Sequence, residues 1–260
     1  MNEDERHAAA TALWDSEQAR APIAPVTEQW SGVSVVDAYE IQRLNVARRQ
    51  EAGALLRGHK VGLSSKVMQR MMNVDEPDYG HLLHDMFVFE SDPVDAAALC
   101  APKVEVEIAF VLKARLAGPG VTVADVLRAT DFVMPSIEII DSRIENWKLT
   151  IADTIADNAS SARVVLGGNA TSVIGIDLRN IGAVLWKNGE IVTSGAAGAV
   201  LGNSATSVAW LANKVHAFGI TLEPGHVILP GSFTPAIDVA RGDSVTAVFD
   251  RLGPVATKFE

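Results

Sequence analysis

The sequence predicts an α+β protein in which a helical N-terminal layer precedes a β-rich core. Three observations support this: an early stretch without Gly or Pro, a change near residue 104 to short runs rich in β-branched residues, and one helical pattern between those runs. We therefore expect a helical layer that is followed along the chain by a core of β-strands.

The N-terminal layer is predicted to be helical over most of residues 1–60. Residues 3–20 contain neither Gly nor Pro. In residues 34–50, Ser34 and Asp37 form a typical N-terminal cap. One apolar stripe at helical spacing follows, formed by Ala38, Ile41, Leu44 and Ala47.

The core is predicted from short apolar runs separated by Gly, Pro, Asn and Asp. These runs are residues 104–112, 132–140, 163–166, 183–186, 190–193, 226–229, 244–249 and 256–259. The Asn188-Gly189 pair between two of them predicts a hairpin, and residues 203–219 predict a helix that ends at Gly219. We place an N-terminal helical cap region at 1–95 and a β-rich catalytic core at 96–260, with one continuous domain as the alternative.

The charge balance excludes several classes of partner. The 260 residues carry 22 Lys and Arg against 32 Asp and Glu, a net charge of −10, which argues against nucleic acid or an anionic membrane. The acidic start and the lack of a long apolar stretch argue against a signal peptide or a membrane span. Cys100 is the only cysteine, which fits a reducing compartment. We expect a cytoplasmic protein.

Three glutamates in the predicted strands indicate a metal site. Glu105 and Glu107 are two residues apart in a strand and so point to one face, while Glu138 is the only charge in a second apolar run. Three carboxylates without a nearby His or Cys suit a hard divalent cation such as Mg²⁺ or Mn²⁺. The alternatives are a solvated Glu face and a salt bridge from Glu138 to Arg143.

Six motifs, taken in order along the chain, resemble one known family. They are residues 58–63 (GHKVGL), 76–80 (EPDYG), 102–110 (PKVEVEIAF), 137–143 (IEIIDSR), 156–160 (ADNAS) and 230–234 (PGSFT). Together they are similar to the 2-keto-4-pentenoate hydratase and 4-oxalocrotonate decarboxylase branch of the fumarylacetoacetate hydrolase superfamily. The resemblance implies a mixed β-roll core, a divalent metal and homo-oligomeric assembly.

The resemblance also assigns roles to particular residues. It places the metal ligands at Glu105, Glu107 and Glu138, in agreement with the strand pattern. It places catalytic residues at Lys60, Asp78 and Ser160, and the turn after residue 229 offers Ser232 and Thr234 as substrate-binding hydroxyls.

Without the resemblance these side chains have ordinary interpretations. Lys60 reads as a surface lysine, Asp78 as a turn former and Ser160 as a loop or cap residue, while Ser232 and Thr234 could simply bond within their turn.

The function predicted from this resemblance is a metal-dependent hydratase. It would add water to a 2-hydroxy-2,4-dienoate, of the 2-hydroxypenta-2,4-dienoate type, to give a 4-hydroxy-2-oxoacid during meta-cleavage degradation of aromatic compounds. Lys60 and Asp78 would share the proton transfers, in either order. Binding of a small 2-oxo or 2-hydroxy acid is implied.

Other functions remain open at this point. A 4-oxalocrotonate decarboxylase shares almost every motif, and a non-catalytic ligand-binding or scaffold protein of the same fold is a second alternative. A C–C hydrolase is disfavoured because His7, His59, His81 and His84 form no evident His–acid pair. These histidines read as surface or loop residues, with His59 the exception because it neighbours Lys60. A dicarboxylate substrate would need a cation at its far end, for which Arg143, Lys148 or Arg163 could serve.

Overall fold

Two β-sheets and seven helices build the protein in a computed structural model that describes residues 1–71 and 73–260. The helices are α1 (Glu3–Ala19), α2 (Val26–Gln29), α3 (Val35–Glu51), α4 (Lys66–Met71), α5 (Val123–Ala129), α6 (Ile151–Ala156) and α7 (Ser204–His216). The strands are β1 (Leu56–Gly62), β2 (Asp78–Leu83), β3 (Phe87–Val88), β4 (Lys103–Leu112), β5 (Thr130–Ile140), β6 (Ser161–Leu166), β7 (Gly182–Lys187), β8 (Glu190–Ala196), β9 (Val227–Leu229), β10 (Ile237–Asp238), β11 (Ser244–Phe249) and β12 (Gly253–Lys258).

The larger sheet has eight strands and mixed direction. Its order is β2-β1-β9-β4-β5-β6-β3, and β10 pairs with β4 beside this path. The pairs β1·β9 and β3·β6 are parallel, whereas β4·β5 and β5·β6 are antiparallel. The smaller sheet has the order β12-β11-β7-β8 and is antiparallel throughout. The α+β class with a mixed β core and N-terminal helices is confirmed.

The N-terminal helices form where their caps predict. Ser34 and Asp37 make a reciprocal capping box at the start of α3, in which each side chain accepts a hydrogen bond from the other residue's backbone. Tyr39 of α3 stacks on Tyr79 of β2 with ring centroids 4.6 Å apart. This contact joins the helical layer to the large sheet.

Apart from the short β10, the strands from residue 103 onward match the apolar runs to within a few residues. The predicted hairpin joins β7 and β8, where Asn188 and Gly189 have φ angles of 54° and 87°. The predicted helix is α7, and Gly219 lies beyond it with a φ of 70°.

Four strands, β1, β2, β3 and β10, occur where the sequence predicted none. β1 and β2 pair with each other, and β1 also pairs in parallel with β9, so the large sheet contains strands from both sides of residue 95. The division into a cap region at 1–95 and a core at 96–260 stays a prediction. His81, interpreted above as a surface or loop residue, lies in β2 and is buried, as is His59 in β1.

In the described ranges, none of the helices combines the length and apolar character that crossing a membrane requires.

Candidate active site

The three predicted metal ligands meet on one face of the large sheet. β4 and β5 pair so that Glu105 lies directly opposite Glu138, and Glu107 lies two residues further along β4 on the same face. Carboxylate oxygens of the three side chains lie within 4.8 Å of one another. Glu107 and Glu138 are fully buried and Glu105 is partly exposed, so a solvated Glu face is excluded.

Each buried glutamate has one oxygen held by a donor and one oxygen left open. The Gly231 N–H donates to Glu107 Oε2 at 2.7 Å, and Ser161 Oγ donates to Glu138 Oε1 at 2.9 Å. In the part of the chain that the structure describes, Glu107 Oε1 and Glu138 Oε2 have no hydrogen-bond partner. Two buried carboxylate oxygens that accept no hydrogen bond, one of them 3.4 Å from the Lys60 ammonium, are a donor set that fits a divalent cation.

Burial also makes the ionised forms of these carboxylates unfavourable when no cation is bound. Burial, together with the neighbouring carboxylates, raises the pKa of Glu107 well above its ordinary value. Burial raises the pKa of Glu105 to about 7, against the opposing effect of Lys60. A bound cation would remove this penalty by stabilising the ionised forms.

Lys60 forms an ion pair with the glutamate cluster. Its Nζ lies 3.4 Å from Glu138 Oε2 and donates to the Ala159 carbonyl at 3.0 Å. Burial lowers the pKa of Lys60, but Glu138 and the other carboxylates outweigh this and hold the pKa above its usual value. The interpretation of Lys60 as a surface lysine is wrong, because strand β1 carries it into the interior.

Asp78 lies at the start of β2, opposite Gly62 of β1. Its Oδ2 accepts a hydrogen bond from Thr154 Oγ1 at 3.1 Å, and its Oδ1 has no partner among the described residues. A Cβ at Gly62 would lie 2.2 Å from Asp78 Oδ1, so only glycine leaves room for this carboxylate. Burial raises the pKa of Asp78, which suits a group that exchanges protons.

A turn of three left-handed residues presents the Ala159 carbonyl to Lys60. Asn158, Ala159 and Ser160 have φ angles of 54°, 50° and 54°. The Asn158 side chain holds the turn by accepting from the His81 N–H at 2.8 Å and donating to the His81 carbonyl at 2.9 Å. Consecutive left-handed non-glycine residues are strained and are typical of functional sites.

Ser160 and Ser161 point to different partners. Ser160 Oγ lies 3.5 Å from Asp157 Oδ2, whereas Ser161 Oγ contacts Glu138. Asp157 also forms the ion pair with Arg143, at 2.5 Å, so the predicted alternative of an Arg143–Glu138 salt bridge is wrong. The catalytic role of Ser160 stays a prediction.

The turn that follows β9 carries Ser232 and Thr234. Ser232 Oγ accepts from the Val106 N–H at 3.3 Å and the Thr234 N–H at 3.2 Å, so it bonds within the turn and to β4. Both residues nevertheless line a cavity of about 420 Å³ that reaches Glu105. Their substrate-binding role stays a prediction.

Sequence reasoning missed three residues that support the site: Thr154, Ser161 and Gly231. Thr154 binds Asp78, while Ser161 and Gly231 each hold one oxygen of a buried glutamate. Gly231 and Ser161 lie inside or next to quoted motifs, so proximity to those motifs was the available signal.

Known proteins resemble this chain in sequence and in fold. The model of the fumarylacetoacetate hydrolase C-terminal family matches residues 53–260. The chain belongs to this family. The family match includes every residue of the site described above.

Individual members of the family are similar over nearly the whole length. A 2-keto-4-pentenoate hydratase from Paraburkholderia xenovorans is 40% identical, with 100% of this chain and 97% of the relative covered. A 4-oxalocrotonate decarboxylase from a Pseudomonas species is 43% identical, with 91% and 90% covered. The solved structure of a 4-oxalocrotonate decarboxylase from Pseudomonas putida, complexed with magnesium and adipate, superimposes with a TM-score of 0.96 at 39% identity and covers 100% of this chain and 99% of its own.

Proposed function

We propose that this protein is a metal-dependent hydratase that adds water to a 2-hydroxy-2,4-dienoate of the 2-hydroxypenta-2,4-dienoate type. The observation that carries the proposal is the cluster of Glu105, Glu107 and Glu138 beside Lys60 and Asp78, in which two buried carboxylate oxygens accept no hydrogen bond. Full-length relatives named as 2-keto-4-pentenoate and 2-hydroxyhexa-2,4-dienoate hydratases support the reaction class, in the meta-cleavage degradation of aromatic compounds.

The three glutamates would hold Mg²⁺ or Mn²⁺. When bound, the cation acts as a Lewis acid that stabilises negative charge on the carboxylate and the adjacent 2-oxygen of the substrate. Magnesium in the solved decarboxylase neighbour supports this choice. Ser161 and Gly231 would fix the orientation of the ligands, as partners of metal ligands commonly do.

Hydration of the dienoate requires two pairs of proton transfers. The 2-hydroxyl loses a proton and C5 gains one, which gives the 2-oxo-3-ene. The water oxygen then bonds to C4, its proton leaves, and C3 gains a proton. The product is a 4-hydroxy-2-oxoacid, and no oxidant or reductant is needed.

Asp78 is the residue that we assign to the proton transfers. Its open Oδ1 is buried, and the other carboxylate oxygen is fixed by Thr154, so the carboxyl group has one face for substrate or water. Lys60 would keep its positive charge and donate a hydrogen bond, because Glu138 and the Ala159 carbonyl both face its Nζ. Ser160, which we also propose as a catalytic residue, lies in the strained turn that contains this carbonyl.

Decarboxylation of 4-oxalocrotonate is the second candidate. The decarboxylase relative at 43% identity and the decarboxylase structure at TM-score 0.96 favour it. The same chelating end could accept electrons as carbon dioxide leaves, so the metal site alone does not separate the two reactions. A non-catalytic protein of this fold would have no need to retain all three glutamates, and all three are present.

Two assays on the same preparation separate these functions. Loss of the ultraviolet absorbance of freshly generated 2-hydroxypenta-2,4-dienoate with Mg²⁺ measures hydration, and carbon dioxide release from 2-oxo-3-hexenedioate measures decarboxylation. We expect the first signal and not the second. Carbon dioxide release without hydration would establish the decarboxylase instead, and neither signal would leave a binding protein.

Homo-oligomeric assembly and a cytoplasmic location complete the proposal. The single cysteine and the acidic composition support the location, and the family resemblance supports the assembly.

A further inference from the structure

The cavity that reaches Glu105 is lined mainly by apolar side chains. Its lining includes Val67 and Met68 of α4 together with Phe233, Pro235 and Ala236. Val67 and Met68 are 65% and 44% exposed, which is unusual for apolar residues unless a ligand or partner covers them. The volume of about 420 Å³ is in the range of small-molecule sites.

No positive charge lines this cavity in the parts of the chain on either side of residue 72. Glu105 is the charged residue of the lining, and the remaining polar residues are hydroxyl-bearing. Ser65 Oγ accepts a hydrogen bond from the Met68 N–H at 3.1 Å, and Ser232 Oγ is bonded to the backbone of residues 106 and 234. These two hydroxyls therefore already have backbone partners.

Lys66 and Arg70 of α4 do not line the cavity, and Lys66 Nζ donates to Gln69 Oε1 at 2.9 Å. The three cations that the sequence offers for a second carboxylate lie elsewhere. Arg143 is buried against Asp157, Lys148 pairs with Glu28 at 2.5 Å, and Arg163 Nη1 donates to a backbone carbonyl. None of the three lines the cavity. A carboxylate placed among the apolar walls would lose its hydration without gaining a counter-charge, which is costly.

We propose that this cavity binds the end of the substrate remote from its chelating carboxylate and selects an uncharged, alkyl-bearing tail over a second carboxylate. The inference rests on the proposed hydratase function and adds the substrate class to it. Glu105 reaches the cavity from the metal cluster, so a substrate held by its 2-oxoacid end would extend its tail between α4 and residues 233–236.

The test compares kcat/KM of the purified Mg²⁺-loaded protein for three substrates. They are 2-hydroxypenta-2,4-dienoate, its six-carbon methyl homologue, and the seven-carbon dicarboxylate 2-hydroxyhepta-2,4-diene-1,7-dioate. We expect the methyl homologue to be used within about tenfold of the five-carbon acid, and the dicarboxylate to be about a hundredfold worse or poorer still.

A variant adds a charge to the wall. Val67→Lys places a cation on an exposed position of α4, and Ile174→Lys adds the same charge at a position that is 87% exposed and outside the cavity. We expect Val67→Lys to raise the ratio of dicarboxylate to monocarboxylate kcat/KM by about tenfold, and Ile174→Lys to leave that ratio unchanged.

The outcomes separate this inference from the function on which it rests. If the protein hydrates the five-carbon acid but uses the dicarboxylate equally well, the tail inference is overturned and the hydratase function stands. If Val67→Lys and Ile174→Lys give the same ratio, the tail does not bind beside α4 and the inference again fails. If no dienoate is hydrated, the proposed function itself is wrong.

Discussion

The two faces of the β1–β2 pair bury polar groups in opposite ways. On one face, Lys60 and Asp78 lie with the carboxylates of β4 and β5. Lys60 forms an ion pair with Glu138, whereas Asp78 Oδ1 and Glu107 Oε1 accept no hydrogen bond from the described residues. On the other face, His59 and His81 lie with ring centroids 4.9 Å apart, next to Tyr79. Burial lowers the pKa of both imidazoles, that of His81 to about 4, so this face is neutral at pH 7.

The neutral face is supported by a directed hydrogen bond. Gln42 Nε2 donates to the Tyr79 and Ile155 carbonyls, so Gln42 Oε1 must accept, and His81 Nδ1 donates to it at 2.9 Å. His59 Nδ1 and Nε2 and the Tyr79 hydroxyl on this face have no hydrogen-bond partner among the described residues, but these groups are neutral, so their burial costs less than that of a charge. The charged face, by contrast, gathers four carboxylates, those of Asp78, Glu105, Glu107 and Glu138, around the ammonium group of Lys60. This excess of negative charge is what a bound cation would neutralise, and it identifies the functional side of the sheet.

Replacing Glu107 by Gln has the largest expected effect, because it removes one ligand charge while retaining the side-chain size. We expect kcat/KM to fall by about a thousandfold or more. An exposed control, Glu223→Gln, is 49% exposed in its side chain and should retain activity. Mg²⁺-dependent dienoate hydration measures both, and unchanged turnover in Glu107→Gln would contradict the metal assignment.

Glu107→Gln lowers activity, but without bound metal it should increase the free energy of unfolding. The raised pKa of Glu107 means that metal-free folded protein holds a proton that the unfolded chain releases above about pH 4.5, so stability is lost as pH rises. At pH 8 in EDTA, Glu107→Gln should be more stable than the wild type, by about 2 kcal/mol. Urea unfolding at pH 6 and pH 8 checks the sign, and a destabilised variant at pH 8 would contradict it.

Gly80→Ala tests the turn that faces Lys60. A Cβ at Gly80 would lie 2.3 Å from the Asn158 carbonyl oxygen, so the turn must move. We expect a loss of about 3 kcal/mol in the free energy of unfolding, together with reduced kcat. Gly168→Ala is the matched control, because its φ, like that of Gly80, is not in the left-handed region, and nothing lies within 4 Å of its Cβ position. Equal losses in both variants would show that the contact with Asn158 does not decide the effect.

Ser161→Ala and Ser160→Ala distinguish the two neighbouring serines. Ser161→Ala removes the donor to Glu138 Oε1, so Mg²⁺ affinity should fall by about 10- to 100-fold. Ser160→Ala leaves that donor in place and should lower kcat with a smaller change in Mg²⁺ affinity. Calorimetric titration of Mg²⁺ into the metal-free variants measures the difference, and a larger affinity loss in Ser160→Ala would reverse the assignment.

The smallest effect is expected on the neutral face. As pH falls below 6.5 the unfolded chain protonates at His81, whereas the folded protein does so only near pH 4, so stability is lost as pH falls. The His81 contribution between pH 7 and pH 5 is about 2 kcal/mol. His81→Phe should be less stable at pH 7 because Gln42 loses its donor, but its stability should depend less on pH in this range. His7→Phe, on an exposed position of α1, should keep the wild-type dependence.

The strands and the glutamates could be predicted because their signals are local. The apolar runs after residue 103 are long enough to identify, Asn188-Gly189 defines its own turn, and a two-residue spacing puts Glu105 and Glu107 on one face.

β1 and β2 could not be predicted because their strand conformation depends on partners distant in the sequence. The GHKVG segment has two glycines and a charge, and it pairs with β9, about 170 residues later. The burial of His81 depends on α3, and the contacts of Ser161 and Thr154 depend on how β6 and α6 pack. Such contacts arise from tertiary structure and have no local pattern.

The most direct test of the account is the location of Mn²⁺ in a crystal soaked with Mn²⁺ and oxalate, measured by anomalous diffraction. We predict one strong peak within bonding distance of Glu105, Glu107 and Glu138, with oxalate chelating the same ion and pointing toward the cavity that α4 borders. A peak elsewhere, or no peak at these three glutamates at saturating Mn²⁺, would contradict the central claim.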